Sequence, residues 1–171
     1  MAGAEKTGVA AARANLFAGS VCVITPTRKS KPEALRKVER LWKSVGGRVL
    51  RLTPDLHDSL VSRSSHLPYV LAATLANYVL KPGHPEHQAA LCATGFRDTT
   101  RIASGSPEMW RDIALANRRN LAKAVDDFAR DLQKLRRRLG KGDTGRITSL
   151  FEQAKRRRDG WCDRCALPAS E

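Results

Sequence analysis

Only two short stretches of this chain read as β-strand, and they stand close together with a single helix between them. In "SVCVITPT", residues 20–27, Val21, Cys22, Val23 and Ile24 form a continuous apolar run stopped by Thr25-Pro26, the pattern of a strand buried on both faces. "KPEALRKVERLWKSVGG" places Pro32 in a first helical turn and spaces Leu35, Val38, Leu41, Trp42 and Val45 along one face before stopping at Gly46-Gly47. "RVLRL", residues 48–52, is the second strand. Residues 20–52 therefore make one strand–helix–strand unit of the kind from which wound α/β sheets are assembled. Two strands do not make a stable sheet alone, so most of the core must come from helices.

From Thr53 onward the chain reads as helices. Thr53 and Pro54 supply an N-cap and a proline at the first helical position, opening a helix through "DLHDSLVSRSS". "HLPYVLAATLANYVL" is apolar nearly all round, which predicts a helix buried between neighbours. "KPGHPEH" breaks it, and "GFRDTTRIASGSPEMW" is polar and glycine-punctuated, with a short helix expected over 98–103. Ser106-Pro107-Glu108 then caps a helix carrying Trp110, Ile113, Leu121, Val125, Phe128, Leu132, Leu135 and Leu139 at steps mostly of three and four. Unbroken to Leu139 it would be about 50 Å long at 1.5 Å per residue, a length that calls for a partner. Gly140 and Gly142 end it, "DTGRITSLFEQAKRRR" makes a last amphipathic helix on Ile147, Leu150, Phe151 and Ala154, and a flexible tail is expected over 159–171.

With 171 residues, of which 42% are hydrophobic, and no apolar run near the ~20 residues of a membrane span, the expectation is a chain without membrane contact. The four cysteines, Cys22, Cys92, Cys162 and Cys165, lack the density of a disulfide scaffold, and no apolar leader precedes them, so a cytoplasmic protein is expected. Cys162 and Cys165 form a lone C-x-x-C, but no second pair or neighbouring histidine completes a ligand set, and no metal site is expected. The net charge of +14 is concentrated: between residues 134 and 158 ten basic residues face only Asp143 and Glu152, a net +8. Such a block suits phosphate backbones, yet basic runs on helices are ordinarily solvated faces and stacking aromatics are scarce, so nucleic acid is not the expected partner.

Four polar spots stand out, each with an ordinary explanation beside the functional one. His66, at the mouth of the most apolar helix, is either a structural histidine or a site residue. Arg101, among small and hydroxyl residues in "DTTRIASGSP", has the fork to hold a carboxylate, or pairs with an acid such as Asp98. Glu5 and Lys6 read as surface charges, and Trp110 as core beside an Arg111–Asp112 ion pair. Physics alone leads to a mainly helical, dimer-forming body with a fragment of α/β sheet.

Three blocks go further. "MAGAEKTGVAAARANLFAGSVCVITPT", "LTPDLHDSLVSRSSHLPYVLAATLAN" and "FRDTTRIASGSPEMWRDIALANRRNL" resemble, in order and spacing, successive parts of the prephenate/arogenate dehydrogenases, over roughly residues 1–139. The resemblance implies a mainly α fold. Residues 1–53 would be the strand–helix–strand remnant closing a Rossmann-type nucleotide-binding domain, and 54–158 an all-helical dimerisation domain like the C-terminal domains of phosphogluconate dehydrogenases. It also implies a homodimer and an NAD- or NADP-dependent oxidative decarboxylation of prephenate or arogenate in tyrosine biosynthesis. Residue by residue, Arg101 matches the arginine for the substrate's ring carboxylate, and Glu5 the acid of the M-A-G-x-E-K-x-G loop that pairs with it and gates the site. His66 matches the S-H-L-P histidine and Trp110 the aromatic residue near the substrate, while Tyr69 stands where many relatives have a second histidine. Ala4 replaces a usual Ser or Thr. In the family's H-P-M-A-G motif the methionine corresponds to Met1, so the catalytic histidine would stand two residues before Met1, and the glycine-rich nucleotide loop earlier still. The resemblance thus implies a piece of a longer enzyme, inactive alone and binding no cofactor tightly. The alternatives are a standalone helical dimerisation or regulatory module and a basic nucleic-acid binder.

Overall fold

A computed structural model describes residues 8–9, 12–81, 83 and 86–165. They belong to two compact units, one drawn from residues 1–54 and 132–171 and the other from 55–131.

In the first unit, β1 (Val21–Ile24) and β2 (Arg48–Arg51) pair in parallel, with Val21 opposite Arg48 and Ile24 opposite Arg51. A parallel pair needs a crossover, and α1 (Pro32–Ser44) supplies it, beginning at Pro32 as the sequence predicts. Trp42 of α1 meets Phe17 edge-on at 5.2 Å, anchoring the helix to the segment that leads into β1. Glu39 of α1 pairs with Arg51 of β2, which holds the carboxyl below its usual range, chiefly through the hydrogen bond from the guanidinium. The expectation that β1 is buried on both faces is not met: Val21 is exposed and Cys22, Val23 and Ile24 are half-buried. The reason is geometric, since β2 is the only strand paired with β1 among the described residues and one edge of each is left open.

The second unit opens with α2 (Pro54–Val61), a five-residue π-turn (Ser62–His66) and α3 (Leu67–Val79), which succeed one another without a break. The π-turn is marked by Leu67 N–H donating to Ser62 O, one residue farther back than in an α-helix. Its cause is Pro68, which has no N–H for the Ser64 carbonyl and whose ring would press on it; one extra residue in the turn relieves both. The apolar residues of α3 outnumber the neighbours that the described residues provide. Ala72 is buried, but Tyr78 is 65% exposed and Leu80 beyond it 52%, so the expected all-round burial does not occur within this chain.

After the short α4 (Glu86–Ala90) come α5 (Thr94–Thr100) and a 3₁₀ turn (Arg101–Ser104), where a single helix over 98–103 is expected. The hydroxyls of Thr99 and Thr100 donate back to the carbonyls of Gly95 and Phe96, at 2.7 Å each, and compete with the backbone bonds that would prolong α5. α6 (Pro107–Ala116) starts as predicted, with the Ser106 hydroxyl accepting from Met109 N–H at 3.3 Å and proline in the first turn.

Two expectations about the last helices are corrected. The long helix from Ser106 to Leu139 is interrupted at Asn117, whose φ of −112° and ψ of 28° leave the helical region, so that α6 gives way to a separate α7 (Arg118–Gly140). Asparagine is a weak helix former because its carboxamide competes for backbone partners, and here it finds one, the carbonyl of Asp58, at 2.8 Å. The second correction concerns the tail. α8 (Thr144–Cys165) runs through residues 159–165 and carries Gly160 inside it. Pairs one turn apart, Lys155 with Asp159 and Arg156 with Glu152, together with Arg158 against Trp161 and Cys162, sustain the helix there. Among the described residues no helix is long and apolar enough to cross a membrane.

Candidate functional site

The second unit brings three of the residues singled out in the sequence onto one cavity of about 280 Å³, lined by His66, Tyr69 and Trp110 with Arg111 and apolar neighbours including Ile113 and Leu121. Tyr69 comes from the first turn of α3 and Trp110 from the first turn of α6; their rings stack at 3.8 Å and 8°. His66 closes the π-turn and meets Trp110 edge-on, 6.4 Å between centroids at 82°. Stacked and edge-on pairs of this kind contribute beyond their burial and hold the rings in place. Gly105 belongs to the same arrangement: a Cβ there would stand 2.7 Å from Trp110 Nε1, so only glycine lets the backbone pass this close to the indole.

Behind the histidine lies a polar relay that sequence reasoning missed. Asn117 is 8% exposed, and its Nδ2 donates to Asp58 O at 2.8 Å while Asn120 Nδ2 donates to its Oδ1 at 2.8 Å. The Asp58 contact fixes the orientation of the carboxamide, because a backbone carbonyl only accepts. The remaining Nδ2 proton faces His66 Nδ1 at 3.4 Å, a long contact that favours the tautomer in which Nδ1 accepts. In that neutral tautomer the ring proton is on Nε2, free for a ligand to accept. Burial pushes its pKa below the ordinary 6.5; the Asp58 charge opposes this and His57 adds to it. The one sequence signal that could have found Asn117 is its position inside an otherwise strong helical pattern, where asparagine is disfavoured unless its side chain has other work.

The other residues singled out in the sequence are not gathered onto the cavity in the same way. Arg101 begins the 3₁₀ turn, is exposed, and is not among the residues lining the cavity. Arg111 pairs with Asp112 at 2.9 Å as the sequence predicts and also lines the cavity, which it does not predict. Met1, against which the family's catalytic histidine is placed, lies outside the described residues together with Ala4, Glu5 and Lys6, as does the side chain of Cys165 in the C-x-x-C pair. No catalytic histidine is therefore assigned at that end of the chain, and His66 is the histidine that lines the cavity. Among the described residues no three His, Cys, Asp or Glu side chains converge as metal ligands would.

A dinucleotide needs a glycine turn between a strand and a helix N-terminus to receive its pyrophosphate. The described residues do not offer one. β1 leads to α1 through "TPTRKSK", without glycine, and the only G-x-G-x-x-G spacing in the chain, Gly140 to Gly145, joins the helices α7 and α8.

Comparison with known proteins finds two family models along the chain. The family model "Prephenate dehydrogenase, nucleotide-binding domain" matches residues 1–51 and "Prephenate dehydrogenase, dimerization domain" matches residues 53–153. The prephenate dehydrogenase of Bacillus subtilis (strain 168) is 37% identical over 164 residues, which are 94% of this chain and 43% of that protein. Among solved structures, prephenate dehydrogenase from A. aeolicus in complex with hydroxyphenyl propionate and NAD+ superposes with a TM-score of 0.85 at 34% identity, over 92% of this chain and 56% of that one. Synechocystis arogenate dehydrogenase gives a TM-score of 0.81 at 29% identity, over 94% of this chain and 59% of that one. The chain thus spans about half the length of the relatives it matches. Matched by a family model over most of its length and aligned across both domains, the chain belongs to the prephenate dehydrogenase family.

Proposed function

We propose that this chain supplies the substrate-binding and dimer-forming body of an NAD- or NADP-dependent dehydrogenase that converts prephenate or arogenate, by hydride removal and loss of carbon dioxide, to the aromatic product. The observation that carries the reading is the convergence on one cavity of His66 and Tyr69, one turn apart, with Trp110 some forty residues on in the sequence. In this reading Trp110 and Tyr69 form an aromatic wall for the substrate, and His66 donates from Nε2 to an oxygen of its side chain. Tyr69 replaces a second histidine of many relatives with a hydroxyl that both donates and accepts. Arg101 holds the ring carboxylate and Glu5 pairs with it as a gate. Two copies associate through their helical bodies, covering the apolar residues that α3 leaves exposed. A cytoplasmic site of action is part of the same reading and rests on cysteines placed without scaffold spacing.

The described residues form no pyrophosphate cradle, so the chain alone is expected to produce no NADH from prephenate or arogenate. Joined in frame behind the nucleotide-binding half of the Bacillus subtilis relative, it should do so, and Arg101→Ala in that protein should raise KM by one or two orders of magnitude, about 1.4–2.8 kcal/mol for a lost bidentate contact. NADH formation by the chain alone would refute the first expectation, and an unchanged KM in the arginine variant the second.

A further inference from the structure

The basic run of the sequence is not uniform once folded. On α8, Lys155 and Arg156 are paired with Asp159 and Glu152, and Arg158 lies against Trp161. At the other end of the run, the last turns of α7 and the first turn of α8 enclose a cleft of about 220 Å³ lined by Lys134, Arg137, Arg138, Lys141, Asp143 and Arg146. Its single carboxylate is already engaged, accepting from Arg146 N–H at 3.1 Å through one oxygen and lying 3.6 Å from the Arg146 guanidinium through the other. Arg137, Arg138 and Lys141 have no carboxylate partner among the described residues.

The turn that gathers these cations is well defined. Arg138 O accepts from both Lys141 N–H and Asp143 N–H, at 3.2 and 3.0 Å, and Gly142 takes a φ of +62° that other residues adopt at a cost. No atom lies within 4 Å of where a Cβ would stand on Gly140, Gly142 or Gly145, so the backbone of the turn is open to approach. Five cations held around so small a volume repel one another, and the arrangement is relieved by a compact multivalent anion. The cleft has no aromatic wall on which a base could stack, and its size suits a few phosphoryl groups better than a duplex.

We propose that the α7–α8 cleft is a binding site for a short chain of phosphoryl groups, as found in an inorganic oligophosphate or in the phosphate tail of a nucleotide. Arginine forks at Arg137 and Arg138 grip paired oxygens, and Lys141 and Arg146 neutralise the rest.

The test is calorimetric titration of the 171-residue chain with tripolyphosphate at physiological ionic strength. The expected result is one site per chain, weakened at least about tenfold by Arg137→Gln with Arg138→Gln, and by less than about twofold by Arg156→Gln with Arg157→Gln, which removes the same charge outside the cleft. If the first double variant loses helix content, Lys141→Gln carries the same expectation of weakening. ATP binding as well as tripolyphosphate, with adenosine not binding, identifies the phosphate chain as the recognised group in a nucleotide; binding of tripolyphosphate alone identifies a free oligophosphate. Equal weakening by both double variants, or many weak sites per chain, would overturn the proposal in favour of diffuse charge. Duplex DNA that binds more tightly than tripolyphosphate and ignores the cleft variants would overturn it in favour of a polynucleotide surface.

Discussion

His66 and Asn117 are joined by one proton. Because Asn117 presents a donor to Nδ1, protonating that nitrogen would set two N–H groups against each other, and burial already disfavours the charged ring. The imidazole of the folded chain should therefore titrate below 6.5 when monitored by NMR of its ring nitrogens, with Nε2 carrying the proton in the neutral form. Asn117→Asp replaces the donor by an acceptor with a negative charge, and should raise the His66 midpoint and move the neutral-state proton to Nδ1. An unchanged tautomer and midpoint in that variant would mean that Asn117 does not set the ring. A histidine whose folded pKa is depressed costs stability as pH falls from its ordinary value through the folded one, because the unfolded chain binds the proton first. At this scale the sequence named residues that the structure brings onto one cavity, but not the contacts that hold them there. His66 and Tyr69 could be named from one block and Trp110 from another, whereas Asn117 acts through a contact 51 residues away in sequence that no local pattern announces.

Elements were legible where local chemistry decides them. Pro32 starts α1, Ser106 and Pro107 start α6, and Gly140 ends α7, each at the place the sequence marks. The Ser106 cap is a single hydroxyl bond to Met109 N–H, so Ser106→Ala should cost about 1 kcal/mol in urea unfolding and loosen the first turn that carries Trp110. A loss of only a few tenths would show that Pro107 alone fixes the start. Elements were misread where a distant partner overrides the local pattern. Apolar spacing runs on through Asn117 and so predicts a single helix, but the Asp58 carbonyl captures the carboxamide and breaks it. The tail beyond residue 159 looked structureless because its stabilising pairs are charges one turn apart, which a search for apolar periodicity does not weigh.

For the whole molecule, the balance of buried and exposed apolar residues is the informative quantity. Within the chain Ala72, Leu121 and Ala124 are buried, while Tyr78, Leu80, Leu132, Leu139, Phe151 and Trp161 are each at least half exposed. A surface with that many large apolar side chains suits the proposed homodimer, for which sedimentation velocity at micromolar concentration should find a species of twice the chain mass. A monomer across that range would contradict the homodimer. In the sequence the expectation of a partner came from the length of a helix running on to Leu139, which Asn117 divides, while the neighbours of α3 were placed inside the chain.

The five-residue turn before Pro68 has a further consequence. Segments before Val61 and after Leu67 are out of phase by one residue, so the facing of every side chain in α3 depends on how many residues precede it and not only on which they are. Deleting any one residue between 62 and 65 would force Pro68 back into an ordinary helical turn, its ring against the carbonyl four residues before it, and would turn α2 and α3 about 100° relative to one another, taking His66 from its place beside Trp110. Here the count of residues is itself encoded information: a related chain shorter by one at this point would keep the architecture and lose the address of its chemistry.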